Sequence, residues 1–405
     1  MGYTKDTVKG VSWVGSLRLS TRIVSFLRTL ILARILLPVQ FGAFGVAAIV
    51  VAFLEVLTET GVNVILVQQR GSIEKHISSA WIVSIVRGFF VGIIIFMSAS
   101  PISIFFNSND SLILLQLISI VPVIRGFINP SVVKFQKDLQ FNKEFWYRLS
   151  IFSVDAATAI ILAFLTRNAS SFVYGLIAGV LFEVVLSFIV VKPRPSFTFK
   201  KMFLRKIIYR GKWVTASGIF NYLFNNLGGI TVGRILETTQ LGIYQLGYSI
   251  SILPLTEISD GFSKVTFPIY AKISDDKARL RRAFFRTIIM ISLLAIPFGL
   301  ILVLFSEQIV KILLGDKWLG LIPLLKILGI FGVIRAITGF PATLFLAAGK
   351  QEYVSIVTFV SFLGLAFSII PLVSIYGIVG AGISSLIASL IPLPFIFYFT
   401  KKIIS

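Results

Sequence analysis

The sequence predicts an all-α integral membrane protein of about twelve transmembrane helices. These form two six-helix lobes related by a pseudo-two-fold axis along the membrane normal, with both ends in the cytoplasm. Three observations carry this expectation: apolar runs recur along the whole chain, basic residues alternate from one connector to the next, and the two halves repeat each other.

The 405 residues are 56% hydrophobic and 14% charged, with a mean hydropathy of +0.94. A soluble domain carries far more charge, and this surface could not cover itself in water. A helix crossing a hydrocarbon core of roughly 30 Å needs about 20 apolar residues. Runs of that length are expected at 10–35, 41–66, 78–101, 111–133, 147–166, 169–191, 209–234, 240–266, 284–307, 320–345, 353–373 and 376–399. The first does not read as a cleaved signal peptide, because Lys5 and Lys9 precede a stretch that carries Arg18, Arg22 and Arg28 and has no small-residue cleavage site. Cysteine is absent, which excludes disulfides and thiolate metal sites, and the single His76 is expected in a solvated connector.

The net charge of +21 is unevenly placed. Lys134, Lys137, Lys143 and Arg148 follow the fourth expected span, and Lys192, Arg194, Lys200, Lys201, Arg205, Lys206, Arg210 and Lys212 follow the sixth. A third cluster, Lys272, Lys277, Arg279, Arg281, Arg282 and Arg286, follows the eighth. The opposite face holds only Arg34, Arg167, Arg234, Lys311, Lys317 and Lys326. Basic connectors stay cytoplasmic, so both termini are placed on the cytoplasmic side of the inner cell membrane. Anionic headgroups are the natural partner of these clusters, and nucleic acid is not needed to explain them. The connector at 192–208 then links an N-lobe, 1–191, to a C-lobe, 209–405, as a topology anchor or a docking site for a partner.

Shifting the chain by 200 residues places Trp13, Arg34, Gln40, Gly42 and Gly61 on Trp213, Arg234, Gln240, Gly242 and Gly261. A shift of 210 places Leu114, Leu115, Val123 and Arg125 on Leu324, Leu325, Val333 and Arg335. Each copy holds an even number of spans, so both enter the membrane in the same direction. Two such lobes around a cleft are a transporter architecture.

Ionisable residues inside spans cost roughly 2.5–3.5 kcal/mol each on insertion scales and mark a cavity or a partner. Arg18, Arg22, Ser25 and Thr29 share one face of the first span. Glu55 and Glu59 lie one turn apart on the second. If the two spans form a hairpin at Pro38, equal depth sets Arg22 against Glu55 and Arg18 against Glu59. This set reads either as a structural charge ladder or as an electropositive cavity wall whose carboxylates carry protons or ions. The second copy replaces it with Asn221, Asn225, Glu257 and Asp260, so a cationic wall faces a neutral hydrogen-bonding one. Such a pair suits a phosphate at one end of a substrate and hydroxyls at the other. Arg125 and Arg335, at equivalent repeat positions, either face the cleft or pair structurally. Asp155 and Glu183 are expected to pair with neighbouring spans.

Catalytic chemistry is not legible. Gly349-Lys350-Gln351 lacks the glycine-rich lead and the hydroxyl of a phosphate loop, no zinc spacing can be built, and no serine-histidine-acid set includes His76. The expectation is a transporter without metal or cofactor.

The opening Lys9-Gly10-Val11-Ser12-Trp13, the stretch Leu30-Ile31-Leu32-Ala33-Arg34-Ile35-Leu36, the turn Pro38-Val39-Gln40-Phe41-Gly42 and Glu59-Thr60-Gly61 resemble the start of bacterial and archaeal oligosaccharide flippases. These are the polysaccharide-transporter branch of the multidrug, oligosaccharidyl-lipid and polysaccharide exporter superfamily. The resemblance covers nearly the whole chain. It implies movement of polyprenyl-diphosphate-linked glycan units from the cytoplasmic to the outer leaflet, driven by an ion or proton gradient. Arg18 and Arg22 are then the leading cavity cations, with Glu55, Glu59, Glu257 and Asp260 as coupling acids. The implied partners are the lipid-linked oligosaccharide and glycan-assembly enzymes. A multidrug extruder of the same superfamily is the alternative, against which the arginine stripe counts. A membrane glycan polymerase or glycosyltransferase is a further one, against which the short outer connectors and the repeat count.

Overall fold

The structure is a computed structural model that describes residues 2–58, 74–197, 219, 222–223 and 225–405, with side chains from Ser12 onward in the first helix and from His76 onward in the third. All regular structure among the described residues is helical. Among the described residues, eight segments are long and apolar enough to cross a membrane. The chain forms two compact units, Met1–Asn225 and Asn226–Ser405.

The first unit contains α1 (Gly2–Ile35), α2 (Pro38–Leu57), α3 (Glu74–Phe105), α4 (Asn109–Ile118), α5 (Ile120–Gly126), a 3-10 turn (Pro130–Val133), α6 (Lys134–Lys137), α7 (Phe141–Thr166) and α8 (Ser170–Val190). Pro38 opens α2 at a position where no backbone N–H is needed. The Gln40 side chain closes this turn by accepting the Leu37 N–H at 2.9 Å and donating to the Arg167 carbonyl at 2.8 Å. One of the repeated residues thus ties the start of α2 to the turn between α7 and α8.

The core of this unit is built on close backbone approach. The Cβ of an alanine at Gly88 would stand 2.4 Å from the Pro122 carbonyl oxygen, so α3 can meet α5 only through glycine. Small residues serve this purpose in membranes, where packing must hold helices together without a hydrophobic drive.

The second unit contains a helical stretch at 226–235, then α9 (Glu237–Lys272), α10 (Lys277–Leu304), α11 (Ser306–Ile309), a π turn (Val310–Leu314) and a 3-10 turn (Asp316–Leu321). It continues through α12 (Ile322–Gly339), α13 (Pro341–Ala347), α14 (Gln351–Leu390) and α15 (Leu393–Ile404). Pro254, Pro268, Pro297 and Pro371 sit inside these helices, which neighbouring helices can accommodate in a membrane protein. α14 is two helices joined at Gly377, whose φ of 60° and ψ of −140° belong to glycine.

The packing of α3 on α5 is echoed here. Val123 presses its Cγ2 toward Gly92 in the first unit, and Val333, its counterpart in the repeat, presses its Cγ2 toward Gly299 in the second.

Large apolar side chains point outward on several helices, including Met97, Leu165 and Phe367 at 74%, 76% and 78% exposure. Helices satisfy their own backbone groups, so such faces suit lipid. His76 lies in the first turn of α3 and is half-buried, which corrects its expected place in a solvated connector. The helix starts earlier than hydropathy alone indicates.

A mixed-charge cavity in the first unit

A cavity of about 450 Å³ lies within the first unit. Its charged lining comes from five helices: Glu55 of α2, Arg87 of α3, Arg125 of α5, Arg148 and Asp155 of α7, and Glu183 of α8. Three guanidinium groups therefore face three carboxylates.

Glu55 is held at both its ends. The Arg87 guanidinium donates to the Glu55 carbonyl at 2.7 Å and to Thr58 Oγ1 at 3.0 Å. It thereby bonds one of the carbonyls that the last turn of α2 leaves without an intrahelical partner. The Glu55 carboxylate accepts a charge-assisted bond from Arg125. These two side chains are 30% and 43% exposed, so the pair is open to the cavity.

Deeper in the unit, Asp155 pairs with Arg28 of α1 at 3.2 Å, with side chains 10% and 15% exposed. The Arg28 guanidinium also stands 5.6 Å from the centre of the Phe172 ring, a cation–π contact, and Phe172 stacks on Phe44 at 4.4 Å. Gly175 and Gly179 of α8 make room for Asp155. The Tyr147 hydroxyl donates to Glu183 at 3.4 Å. Both acids are thus paired with groups from neighbouring helices, as their isolation in the sequence implied.

A second cavity of about 590 Å³ adjoins the same face of α7 and is lined by Arg18, Thr21, Gln136, Glu144 and Arg148. Gln136 donates to Glu144 at 2.8 Å, and Arg148 stands 3.7 Å from the same carboxylate oxygen.

The expected pairing of Arg22 with Glu55 is overturned. Helix α1 packs chiefly along α7 and α2 packs on α4, so equal depth on either side of Pro38 does not bring the two faces together. Glu55 meets Arg125 and Arg87 instead. Arg22 is exposed on α1 and lines neither cavity, while Arg18 lines the second. Glu59 and Asn221 lie outside the described residues, and with Glu59 its expected pairing with Arg18. Asn225, the last residue of the first unit, is exposed, and on α9 of the second unit Glu257 is half-buried and Asp260 exposed. Arg335 lies over the Phe331 ring at 5.7 Å, whereas its repeat counterpart Arg125 grips a carboxylate.

Sequence reasoning did not single out Arg87 or Arg148 as cavity residues. Arg148 was legible only as part of a basic connector, because the helix that carries it starts at Phe141, ahead of the apolar run.

The arrangement can hold an anion at Arg125, Arg87 and Arg148, with carboxylates close enough to exchange with it. Residues 31–323 match the polysaccharide biosynthesis protein family. The chain belongs to that family. It is 28% identical to a membrane protein in the cps region of Klebsiella pneumoniae, over 99% of this chain and 84% of that one. It is 24% identical to the lipopolysaccharide biosynthesis protein WzxC of Escherichia coli strain K12, over 87% of this chain and 72% of that one.

Two solved structures share the fold of this family member. The lipid II flippase MurJ, in its inward closed conformation, superposes with a TM-score of 0.74 at 16% identity, covering 96% of this chain and 87% of that one. A multidrug resistance MATE family transporter in its inward-facing conformation gives 0.71 at 15% identity, covering 95% and 94%. At these identities the likeness speaks for the fold.

Proposed function

We propose that the protein is a flippase that carries polyprenyl-diphosphate-linked oligosaccharide from the cytoplasmic to the outer leaflet of the inner cell membrane. Twelve spans in two lobes, 1–191 and 209–405, joined by the basic linker 192–208, would alternate access, with both termini in the cytoplasm. The observation that carries the reading is the cavity of Arg87, Arg125 and Arg148 within a chain of the polysaccharide biosynthesis protein family. A guanidinium fork matches phosphate oxygens, and at membrane depth its attraction is weakly screened. WzxC is named for lipopolysaccharide biosynthesis and MurJ for flipping lipid II, both of which fit a lipid-linked glycan as cargo.

Glu55 is the best-placed coupling acid. Its carboxylate competes with an incoming phosphate for Arg125, so proton uptake by Glu55 would release the guanidinium to the substrate. Glu59, Glu257 and Asp260 are further candidates for the same work.

The test is reconstitution of the full chain in liposomes containing a fluorescent polyprenyl-diphosphate oligosaccharide, read by quenching from outside. Accelerated movement between leaflets supports the reading. Movement no faster than in protein-free vesicles, under an imposed proton gradient in either direction, overturns it.

A further inference from the structure

The side chains of Phe141, Glu144, Arg148, Phe152 and Asp155 form one stripe along α7 at helical spacing. Phe141, Glu144, Arg148 and Phe152 line the 590 Å³ cavity that Arg18 shares. Arg148, Phe152 and Asp155 line the 450 Å³ cavity that Arg125 shares. Arg148 and Phe152 alone belong to both.

We infer that Arg148 is an anion relay, a binding residue that takes the phosphate of the substrate on its way between Arg18 and Arg125. This rests on the proposed flippase reading and adds a step to its path. The geometry of Arg148 fits the task. Its side chain is 44% exposed, and its Nε faces Glu144 at 3.7 Å, beyond normal hydrogen-bond reach. Glu144, with a side chain only 9% exposed, takes its close bond from Gln136 at 2.8 Å. The acid therefore has a neutral partner of its own and holds Arg148 loosely. A phosphate can displace that contact and gain two parallel bonds from the guanidinium fork.

The competing account is that Arg148 only neutralises Glu144. The two differ in a double substitution, because removing both members of a structural pair restores what removing one loses.

The experiment measures binding of farnesyl diphosphate to the purified full chain in detergent, with thermal stability recorded for every variant. Arg148→Gln should bind about tenfold more weakly, as for loss of one charge-assisted contact, and Arg148→Lys should fall between. Glu144→Gln with Arg148→Gln should stay as weak as Arg148→Gln alone. Glu144→Gln alone should bind more tightly than the parent, and this variant decides the matter if Arg148→Gln does not fold. Unchanged binding by Arg148→Gln, recovery in the double variant, or weaker binding by Glu144→Gln overturns the relay. Arg125→Gln in the same assay reports on the cavity itself: if it loses binding while Arg148→Gln does not, the relay fails and the flippase reading stands.

Discussion

The Asp155 carboxylate lies 3.2 Å from the Arg28 guanidinium, in a recess of α8 that glycine makes possible. A Cβ on Gly175 would stand 2.7 Å from Asp155 Oδ1, and one on Gly179 would stand 2.9 Å from Asp155 Cβ. The pair joins α1 to α7, the packing on which the first unit is organised.

Removing one of these charges strands the other. Asp155→Ala should lower stability by about 3–5 kcal/mol, and Arg28→Leu with Asp155→Leu should recover much of it. Gly175→Ala should also lower stability, by about 1–3 kcal/mol, because the recess closes while both charges remain. Thermal unfolding of purified protein in detergent checks all of these; additive losses at Arg28 and Asp155 would show that they do not pair.

The contact between Glu55 and Arg125 is open to the cavity, so its role should be functional more than structural. Glu55→Gln should leave folded protein close to the parent level, because the neutral side chain still accepts a bond from Arg125. The same change should strengthen binding of an anionic lipid several-fold, because a neutral side chain holds the Arg125 guanidinium less tightly than the carboxylate does. Binding isotherms are the measurement. Unchanged or weaker binding by Glu55→Gln would show that the acid does not compete with the ligand for Arg125.

Gly377 divides α14 with a backbone conformation that side chains disfavour. Gly377→Ala should cost about 1–3 kcal/mol through strain alone. Nothing crowds the position, as the nearest neighbouring atom, Leu236 Cδ1, would lie 4.0 Å from the alanine Cβ. A variant as stable as the parent would mean that the kink does not depend on glycine.

The orientation proposed from the basic connectors can be tested directly, because the parent chain has no cysteine. Cysteines at Asn107 or Ser374 should react with an impermeant thiol reagent in intact cells. Those at Ser196 or Ser274 should react only after permeabilisation. The reverse pattern would invert the proposed direction of transport.

The helical segments were legible from hydropathy because their apolar runs are long and their connectors charged. Arg125 was legible too, as a basic residue recurring at Arg335. Its partner was not. Matching depth across Pro38 assumes that α1 and α2 touch, and no feature of either helix announces that α1 will instead run along α7. Arg148 was hidden by its setting, since it stands at the very edge of the run expected at 147–166 and counts there with the basic connector, whereas the helix starts at Phe141 and carries it a turn and more inside. Arg87 caps α2 through the Glu55 backbone carbonyl and the Thr58 hydroxyl, and a bond to a backbone carbonyl has no signature in residue type.

The central claim is that Arg125 holds the anionic head of a lipid-linked glycan during transport. The direct measurement is surface glycan in a flippase-deficient host expressing the parent, Arg125→Lys or Arg125→Gln, alongside the amount of each protein in the membrane fraction. The parent should restore glycan, lysine should restore part of it by keeping the charge without the fork, and glutamine should restore little at normal expression. Full restoration by normally expressed Arg125→Gln would contradict the account.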